Sequence, residues 1–514
     1  MSIFLKKPIK LLIADADETE KGLKRTLSAG NLVALGIGAI IGAGLFVRTA
    51  AAAAQHAGPA VTIGFVIAAV GCAFAGLCYA EFASMIPIAG SAYTYSYATM
   101  GELVAWIIGW DLVLEYGVGA ATVGIAWSEY FNKFLGIFGW GIPYQWCHSP
   151  WETSVNGING IINIPALFIV LALTMVLIRG TKGSAVVNNI IVILKVAIVI
   201  LVIAIGWQYI KPENHTPFIP EPTKYTDPVS KITYSYGGIM GILGAAGVVF
   251  FAFIGFDAVS TAAQEAKNPK RDMPIGILGS LVVCTLLYIL FSYVLTGVAS
   301  VSDFRDPSLG GEASVAFAIE HMSGKTVNGA WVAQYQWLSN LLTVAILAGF
   351  SSVILVMLMG QSRVFYSISR DGLLPKIFSE VHPKHRTPYK ANWIIFAMVG
   401  SFAAFVPGNI VGEMTSIGTL FAFMLVCAGI IILRKTNPEI KREFKTPWVP
   451  FVPIMGILVC GAMIYGLGLT NWLRLLVWLA LGFIIYFTYG IRNSKLNKGR
   501  HVRPKDPVDP VNPL

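Results

Sequence analysis

Long runs of uncharged, apolar residues alternate with short polar segments along most of the chain. A helix needs about 20 mostly apolar residues to cross the hydrocarbon core of a bilayer. Twelve runs approach or exceed this length and predict membrane-spanning helices at residues 32–47, 61–86, 103–131, 161–178, 186–207, 242–263, 275–298, 337–366, 391–406, 414–433, 449–469 and 472–489. The pattern therefore predicts an all-α integral membrane protein.

The composition supports this fold class. The chain has 514 residues, of which 55% are hydrophobic and 12% are charged, whereas soluble proteins carry about 25% charged residues. These values exclude a soluble enzyme, a disordered protein and a single-span receptor. Five of the six cysteines lie within the apolar runs, where a thiol behaves as a small hydrophobic group. No C-x-x-C or H-x-x-H pair lies within a run, so no metal site is expected.

The basic residues are distributed unevenly between the predicted spans. An even number of spans puts both termini on one side, and that side carries about four times as many lysines and arginines as the other. Seven of the 37 lie on the opposite side: Arg48, Lys133, Lys211, Lys224, Lys231, Arg305 and Lys325. The positive-inside rule thus predicts cytoplasmic termini, and the expected location is the plasma membrane. The net charge of +10 then reflects topology and attraction to anionic lipids, not nucleic-acid binding.

Glycines interrupt the first and the sixth predicted spans. Residues 36–46 read GIGAIIGAGLF and residues 250–257 read FFAFIGFD. Matched interruptions five helices apart indicate a five-plus-five inverted repeat, whose two broken helices meet near the bilayer midplane. Exposed N–H groups there can bind a carboxylate and exposed carbonyl groups an ammonium, so a zwitterion suits such a site. For the first span, the alternative is close helix packing through Gly38-x-x-x-Gly42.

This repeat defines the predicted organisation of the chain. A cytoplasmic N-terminal segment precedes two five-helix repeats that are separated by an extracellular loop. Two further helices and a cytoplasmic C-terminal tail follow. In order, these six regions are residues 1–30, 31–208, 209–240, 241–435, 448–490 and 491–514.

Few ionisable residues lie within the apolar runs. Because a charge in a membrane is energetically costly, each of them is expected to have a polar partner or a function. Lys195 lies in the middle of the fifth run, where a desolvated amine can exchange a proton. It is predicted to donate to backbone oxygens of the broken first helix, as a proton carrier or as a structural amine. Glu115 is a second candidate for proton coupling, or else a structural contact, and Asp257 directly follows the sixth interruption. Glu81 lies near a cytoplasmic end, where helix capping and basic loop partners are expected.

Four motifs follow one another in a familiar order. They are GAIIGAGLF at 38–46, YAEFAS at 79–84 with GSAYTY at 90–95, FIGFD at 253–257 with EAKNPKRDMP at 265–274, and SRDGLLP at 369–375. This set resembles the amino acid–polyamine–organocation (APC) superfamily, and most of all the bacterial branch of its cationic amino acid transporter family. The resemblance implies a LeuT-type fold and secondary transport of amino acids, often together with protons.

By position, the resemblance also implies which residues form the substrate site. The first span would meet the substrate carboxylate and backbone through Ile40, Ile41, Gly42, Ala43 and Gly44. The sixth span would meet the ammonium group and shape the side-chain pocket through Phe251, Ala252 and Ile254. Lys195 would replace a sodium site of related transporters, with Ser351 or Ser352 of the eighth span beside it.

Two positions bear on the substrate. Many relatives have serine or threonine where this chain has Ala43, so backbone N–H groups alone would bind the carboxylate. Met357 of the eighth span is predicted to face the side-chain pocket, or else to be flexible packing. A bulky thioether without a counter-charge favours small neutral amino acids over arginine or lysine.

The sequence thus predicts an amino acid:proton symporter that works by alternating access, with an exchanger of amino acids or polyamines as the alternative. Residues 323–326 read SGKT, but Ile319 stands where a phosphate-binding loop requires its first glycine. No catalytic residue and no cofactor are expected, and the coupling ion is predicted to be a proton. The expected partners are the amino acid substrate and the lipid bilayer, not nucleic acid or nucleotide. The sequence makes no prediction about a small accessory membrane subunit.

Overall fold

A computed structural model describes residues 3–8, 27–86, 91–154, 157–179, 184–227, 232–260, 266–305, 314–327, 330–383, 385 and 387–499. Helices dominate this part of the chain. In order they are α1 (Ala29–Ile40), α2 (Gly44–Arg48, Thr49–Ala52 and Ala53–Ala57 in succession), α3 (Val61–Met85), α4 (Ser91–Thr99), α5 (Glu102–Gly136), α6 (Ile164–Arg179), α7 (Ser184–Gly206), α8 (Gly238–Val249), α9 (Pro269–Val298), α10 (Val301–Arg305), α11 (Ser314–His321), α12 (Gln336–Arg370), α13 (Tyr389–Phe405), α14 (Gly408–Thr436), α15 (Phe451–Gly466) and α16 (Leu469–Asn493).

Eight helical segments of these described ranges are long and apolar enough to cross a membrane. Three further apolar helices, α1, α6 and α15, are shorter. Every apolar run that was predicted to span the membrane overlaps helical structure. The run at 242–263 ends in residues outside the described ranges. The prediction of a predominantly helical membrane protein is therefore confirmed.

Two short antiparallel hairpins lie in the connections between apolar runs, and the prediction of an all-α chain did not include them. β1 (Thr223–Thr226) pairs with β2 (Thr233–Tyr236), and β3 (Gly324–Val327) pairs with β4 (Ala330–Ala333). Threonine, tyrosine and valine recur in these strands, and β-branched and aromatic residues favour extended structure. The runs of apolar residues gave no signal for such short elements.

The first span is interrupted within its glycine-rich segment. α1 ends at Ile40, and Ile41 adopts an extended conformation with φ −71° and ψ 104°. Helical structure resumes at Gly44. A Cβ atom at Gly44 would lie 2.1 Å from the Cα atom of Ala252, so a glycine is needed for the two interrupted spans to touch here.

The sixth span breaks where it meets the first. α8 gives way to a single 3-10 turn, Phe250–Phe253, and Ile254 then has ψ 134°. Gly255 has φ +112°, a conformation that residues with a side chain rarely adopt. A Cβ atom there would lie 3.0 Å from the carbonyl oxygen of Ala39. Helix packing alone, the alternative for the first span, does not explain a chain that leaves helical geometry at both places.

Both ends of the described chain lie at one end of the bundle, which we call the termini face. The N–H group of Leu103 donates to the carbonyl oxygen of Ile3 at 3.0 Å, and the side-chain amide of Asn497 donates to Glu102 at 3.1 Å. The start of α5 therefore binds both the N-terminal and the C-terminal segment. We call the other end of the bundle, which includes the β1–β2 hairpin, the opposite face.

Glu81 of α3 is fully buried and pairs with arginines. Arg434 donates to both of its carboxylate oxygens, at 2.9 and 2.8 Å, and Arg442 lies 3.2 Å from one of them. The backbone N–H group of Thr446 adds a contact at 2.7 Å. A carboxylate that is removed from water needs such partners. The prediction that Glu81 has basic partners is confirmed.

His148 forms an ion pair with Glu129 in the connection that follows α5. Its Nε2 atom lies 3.0 Å from a carboxylate oxygen of Glu129, and its Nδ1 atom lies 3.0 Å from the carbonyl oxygen of Tyr144. Burial lowers the pKa of His148, but the hydrogen bond and the charge of Glu129 outweigh burial and raise this pKa from 6.5 to about 9. Because the pKa is raised in the folded state, the ion pair contributes its full stabilisation of the fold below pH 6.5. This stabilisation is lost as the pH rises through 9.

The stability of the protein in detergent should therefore depend on pH. We expect the free energy of unfolding to fall by about 1–3 kcal/mol as this histidine loses its proton. Thermal unfolding recorded at a series of pH values measures the change. In a Glu129→Gln variant the contribution of His148 should disappear, and an unchanged pH dependence in that variant would contradict the ion pair.

Candidate substrate site

Lys195 of α7 lies beside the break in the first span. Its ammonium group donates hydrogen bonds to the carbonyl oxygens of Gly38 at 3.0 Å and Ile41 at 2.9 Å. The lysine is only 2% exposed, so these carbonyl groups take the place of water. The predicted contact with the backbone of the broken helix is confirmed. Whether Lys195 carries the coupling proton stays a prediction.

Tyr288 of α9 connects the two breaks, and sequence reasoning missed it. Its hydroxyl oxygen lies 3.0 Å from the carbonyl oxygen of Ile40 and 3.0 Å from that of Ala252. A hydroxyl group has one proton to donate, so the two carbonyl groups share it. The residue is fully buried. The available signal was one of two tyrosines in the same apolar run, Tyr288 and Tyr293, and neither position reveals its partners.

The predicted substrate-binding residues of the first and sixth spans lie together at this junction. All of them are buried, namely Ile40, Ile41, Gly42, Ala43, Gly44, Phe251, Ala252 and Ile254. α2 begins here, and the first N–H groups of a helix have no partners within that helix. α8 ends here, and the last carbonyl groups of a helix are equally unmatched. The junction thus offers donors to a carboxylate and acceptors to an ammonium group.

A second cluster of polar side chains lies between α5 and the sixth span. The carboxyl groups of Glu115 and Asp257 are both fully buried and interact electrostatically. The hydroxyl group of Tyr116 donates to the Asp257 carboxylate. The sequence singled out Glu115 and Asp257 separately, and the structure brings them together, whereas Tyr116 was missed. Two buried carboxyl groups therefore lie beside the break in the sixth span.

Met357 of α12 faces α5. A Cβ atom at Gly119 would lie 3.4 Å from the sulfur of Met357 and 3.3 Å from the side chain of Thr415. The methionine therefore lies among the third, eighth and tenth predicted spans, and it is buried. Its role as a wall of the side-chain pocket stays a prediction.

The eighth-span neighbour of Lys195 was proposed to be a serine. Lys195 packs against Gly349 of this span, where a Cβ atom would lie 2.5 Å from its Cε atom. Ser351 accepts a hydrogen bond from the indole of Trp127 at 3.1 Å and donates to a carbonyl group of its own helix. Ser352 stays a candidate. Sequence reasoning missed Gly349 because glycine is frequent in membrane helices.

Comparison with known proteins places this architecture in a family. The chain matches the family model described as amino acid permease over residues 27–489. The chain belongs to the amino acid permease family.

The names of similar proteins mention different substrates. It is 45% identical to the branched-chain amino acid permease BcaP of Bacillus subtilis (strain 168), over 97% of this chain and 99% of that protein. It is 40% identical to the methylthioribose transporter of the same organism, over 97% of this chain and 100% of that protein. Identity with the vacuolar cationic amino acid transporter 4 of Arabidopsis thaliana is 33%, over 81% of this chain and 64% of that protein.

The resemblance to the APC superfamily, based on four motifs, is therefore confirmed. The permease is a multi-pass membrane protein of a transporter family and not a member of an enzyme family. Amino acid transport is the function that the family name supports. The identity of the amino acid and the source of energy are separate questions.

Proposed function

We propose that the permease takes up neutral amino acids together with protons by alternating access. It would have twelve spans, of which the first ten form two five-helix inverted repeats. The broken helices would be the first span, formed by α1 and α2, and the sixth span, which begins with α8. One observation carries the proposal: two broken helices meet, and Lys195 and Tyr288 hold carbonyl groups that the breaks expose. Backbone dipoles at such a junction suit the two opposite charges of an amino acid.

Branched-chain amino acids are the substrates that fit best. Two relatives named branched-chain amino acid permeases align with nearly the whole chain, at 45% and 34% identity. The residues expected around the substrate side chain, Phe251, Ile254 and Met357, are apolar and offer no counter-charge. Leucine, isoleucine and valine would therefore bind better than arginine or lysine.

Proton coupling would use Lys195 and the pair formed by Glu115 and Asp257. A lysine held by two carbonyl groups is an amine that can release and regain a proton as the junction opens and closes. The membrane potential contributes about 2.3 kcal/mol per charge per 100 mV, which favours inward movement of a proton with a zwitterion. No cofactor would be needed.

The termini face would lie in the cytoplasm and the opposite face outside the plasma membrane. The excess of lysines and arginines on the side of the termini supports this orientation.

Uptake into liposomes tests the proposal. Purified permease would be reconstituted and given radiolabelled leucine, with and without a pH gradient that is alkaline inside. We expect the gradient to drive accumulation, and unlabelled isoleucine and valine to compete while arginine does not. Uptake that ignores the gradient and requires internal amino acid would establish an exchanger instead. Competition by methylthioribose without competition by amino acids would contradict amino acid transport, and the relative of that name makes this control necessary.

Met357→Ser is expected to widen the range of accepted substrates. The shorter side chain removes apolar contact with leucine, which costs about 1–2 kcal/mol and raises the KM for leucine roughly tenfold, and it leaves room for larger or polar side chains. A competition panel of the twenty amino acids measures the change. Met359→Ser is the matched control, because residues two apart on a helix face different directions. If Met357→Ser accepts the same amino acids as the wild type, Met357 does not line the side-chain pocket and only packs between helices.

A further inference from the structure

Arg48 is a buried cation that has no acidic partner in the described part of the chain. It lies in α2 and is only 5% exposed. Its Nη2 atom donates to the carbonyl oxygen of Gly408 at 2.6 Å. Its Nε atom has no hydrogen-bond partner among the residues that the structure describes. A guanidinium group keeps its charge in a protein, and a buried charge is normally paired.

The position of Arg48 relates it to the substrate junction. It ends the turn that begins at Gly44, the last of the predicted carboxylate-binding residues in the first span. Its guanidinium carbon lies 5.8 Å from the centre of the Phe251 ring, and Phe251 belongs to the predicted side-chain pocket. The cation therefore borders the site from the direction of the opposite face, where α14 begins with Gly408.

The first turns of α14 are shaped around this cation. A Cβ atom at Gly412 would lie 1.8 Å from the Nη2 atom of Arg48, so glycine leaves the space that the guanidinium occupies. One turn deeper, the buried hydroxyl group of Ser416 has no partner within the described ranges. Gly412 and Ser416 share one face of the helix. Unmatched polar groups thus continue from Arg48 toward the interior.

We propose that Arg48 forms an outer subsite, which binds the carboxylate of the incoming amino acid before the substrate reaches the junction of the broken helices. The planar guanidinium fork binds a carboxylate through two parallel hydrogen bonds, and a carbonyl oxygen and an aromatic ring do not neutralise its charge. The inference rests on the proposed transport of amino acids. The competing explanation is purely structural, namely that Arg48 holds α2 against α14.

The two explanations differ in sidedness. A subsite on the pathway from the opposite face acts on substrate that arrives from that face, whereas a structural tie acts on every transport cycle. Leucine exchange would be measured in right-side-out and everted membrane vesicles for the wild type, Arg48→Gln and Arg48→Lys. Initial rates give KM and Vmax separately for substrate arriving at each face.

For Arg48→Gln we expect the KM at the opposite face to rise about tenfold, the effect of losing one charge-assisted hydrogen bond. The KM at the termini face should stay unchanged, which also shows that the variant folds, and Vmax should stay within about a factor of two. Arg48→Lys keeps the charge but not the fork and should give a smaller rise at the same face. If Arg48→Gln does not reach the membrane, an unchanged KM of Arg48→Lys at the opposite face overturns the inference.

Arg305→Gln is the matched control. Arg305 donates to the carbonyl oxygen of Ala54 at 2.8 Å and lies 4.2 Å from the ring centres of Tyr225 and Tyr236. Arg305 thus has the same kinds of contact as Arg48 but does not border the junction. The KM of the Arg305→Gln variant for leucine should therefore match the wild type at both faces.

Three outcomes overturn the inference: an unchanged KM at the opposite face in Arg48→Gln, equal changes of KM at both faces, or a loss confined to Vmax. The failure of the proposed function looks different. Wild-type vesicles that exchange no amino acid would refute amino acid transport itself, whereas normal wild-type exchange with any of these three outcomes refutes the subsite alone.

Discussion

Replacing Lys195 with alanine is expected to abolish the accumulation of leucine that a pH gradient drives. The substitution leaves the carbonyl groups of Gly38 and Ile41 without their donor, and an unpaired buried polar group costs about 1–3 kcal/mol. It also removes the group proposed to release and regain the coupling proton. Liposomes with this variant and an imposed pH gradient should take up no more leucine than liposomes without a gradient.

Exchange in the absence of a gradient separates coupling from folding. Lys195→Ala should still exchange internal for external leucine, at a reduced rate, because the substrate-binding residues remain. Lys133→Ala is the matched control. Lys133 does not belong to the junction and forms an ion pair with Glu320 at 2.8 Å. Partly exposed ion pairs contribute little to stability. Normal gradient-driven accumulation in Lys195→Ala would contradict the proposed role of this lysine.

Replacing Tyr288 with phenylalanine should weaken the binding of leucine. The variant keeps the ring and loses the hydroxyl group that lies between the carbonyl oxygens of Ile40 and Ala252. Losing this hydrogen bond in a buried site costs about 1–3 kcal/mol, which corresponds to an increase in Kd of roughly five- to 150-fold. Equilibrium binding of radiolabelled leucine to the purified protein measures the effect.

The control for this prediction is Tyr209→Phe. The hydroxyl group of Tyr209 bonds to that of Tyr335 at 2.9 Å, and neither residue belongs to the junction. Its removal should leave the Kd for leucine unchanged. A wild-type Kd in Tyr288→Phe would mean that the two broken helices hold their positions without the shared hydroxyl group.

The helices and the interruptions could be predicted because both depend on neighbouring residues. Apolar runs of sufficient length predict membrane helices, and glycines within such runs mark the places where Ile41 and Gly255 leave helical geometry. Lys195 was predictable for a similar reason. A single charge in the middle of an apolar run must find polar partners, and the exposed backbone of a broken helix provides them.

Apart from the contact of Lys195 with the broken first helix, partners from distant parts of the chain could not be predicted. Periodicity tells which residues share a helix face, but it does not tell which helix that face will meet. The sequence therefore selected Glu115 and Asp257 without indicating that they are neighbours. It also gave no reason to choose Tyr288 as the residue that connects the two breaks. The burial of Arg48 was hidden, because an arginine near the end of an apolar run is expected to reach water.

An electron cryomicroscopy map of the permease with bound leucine would test most directly whether the backbone of two broken helices binds the two charges of an amino acid. We expect the carboxylate within hydrogen-bond distance of the N–H groups of residues 42–44, and the ammonium group against the carbonyl groups of residues 250–254. Leucine bound elsewhere, or an unbroken helix through Ile41 and Gly255, would contradict the account.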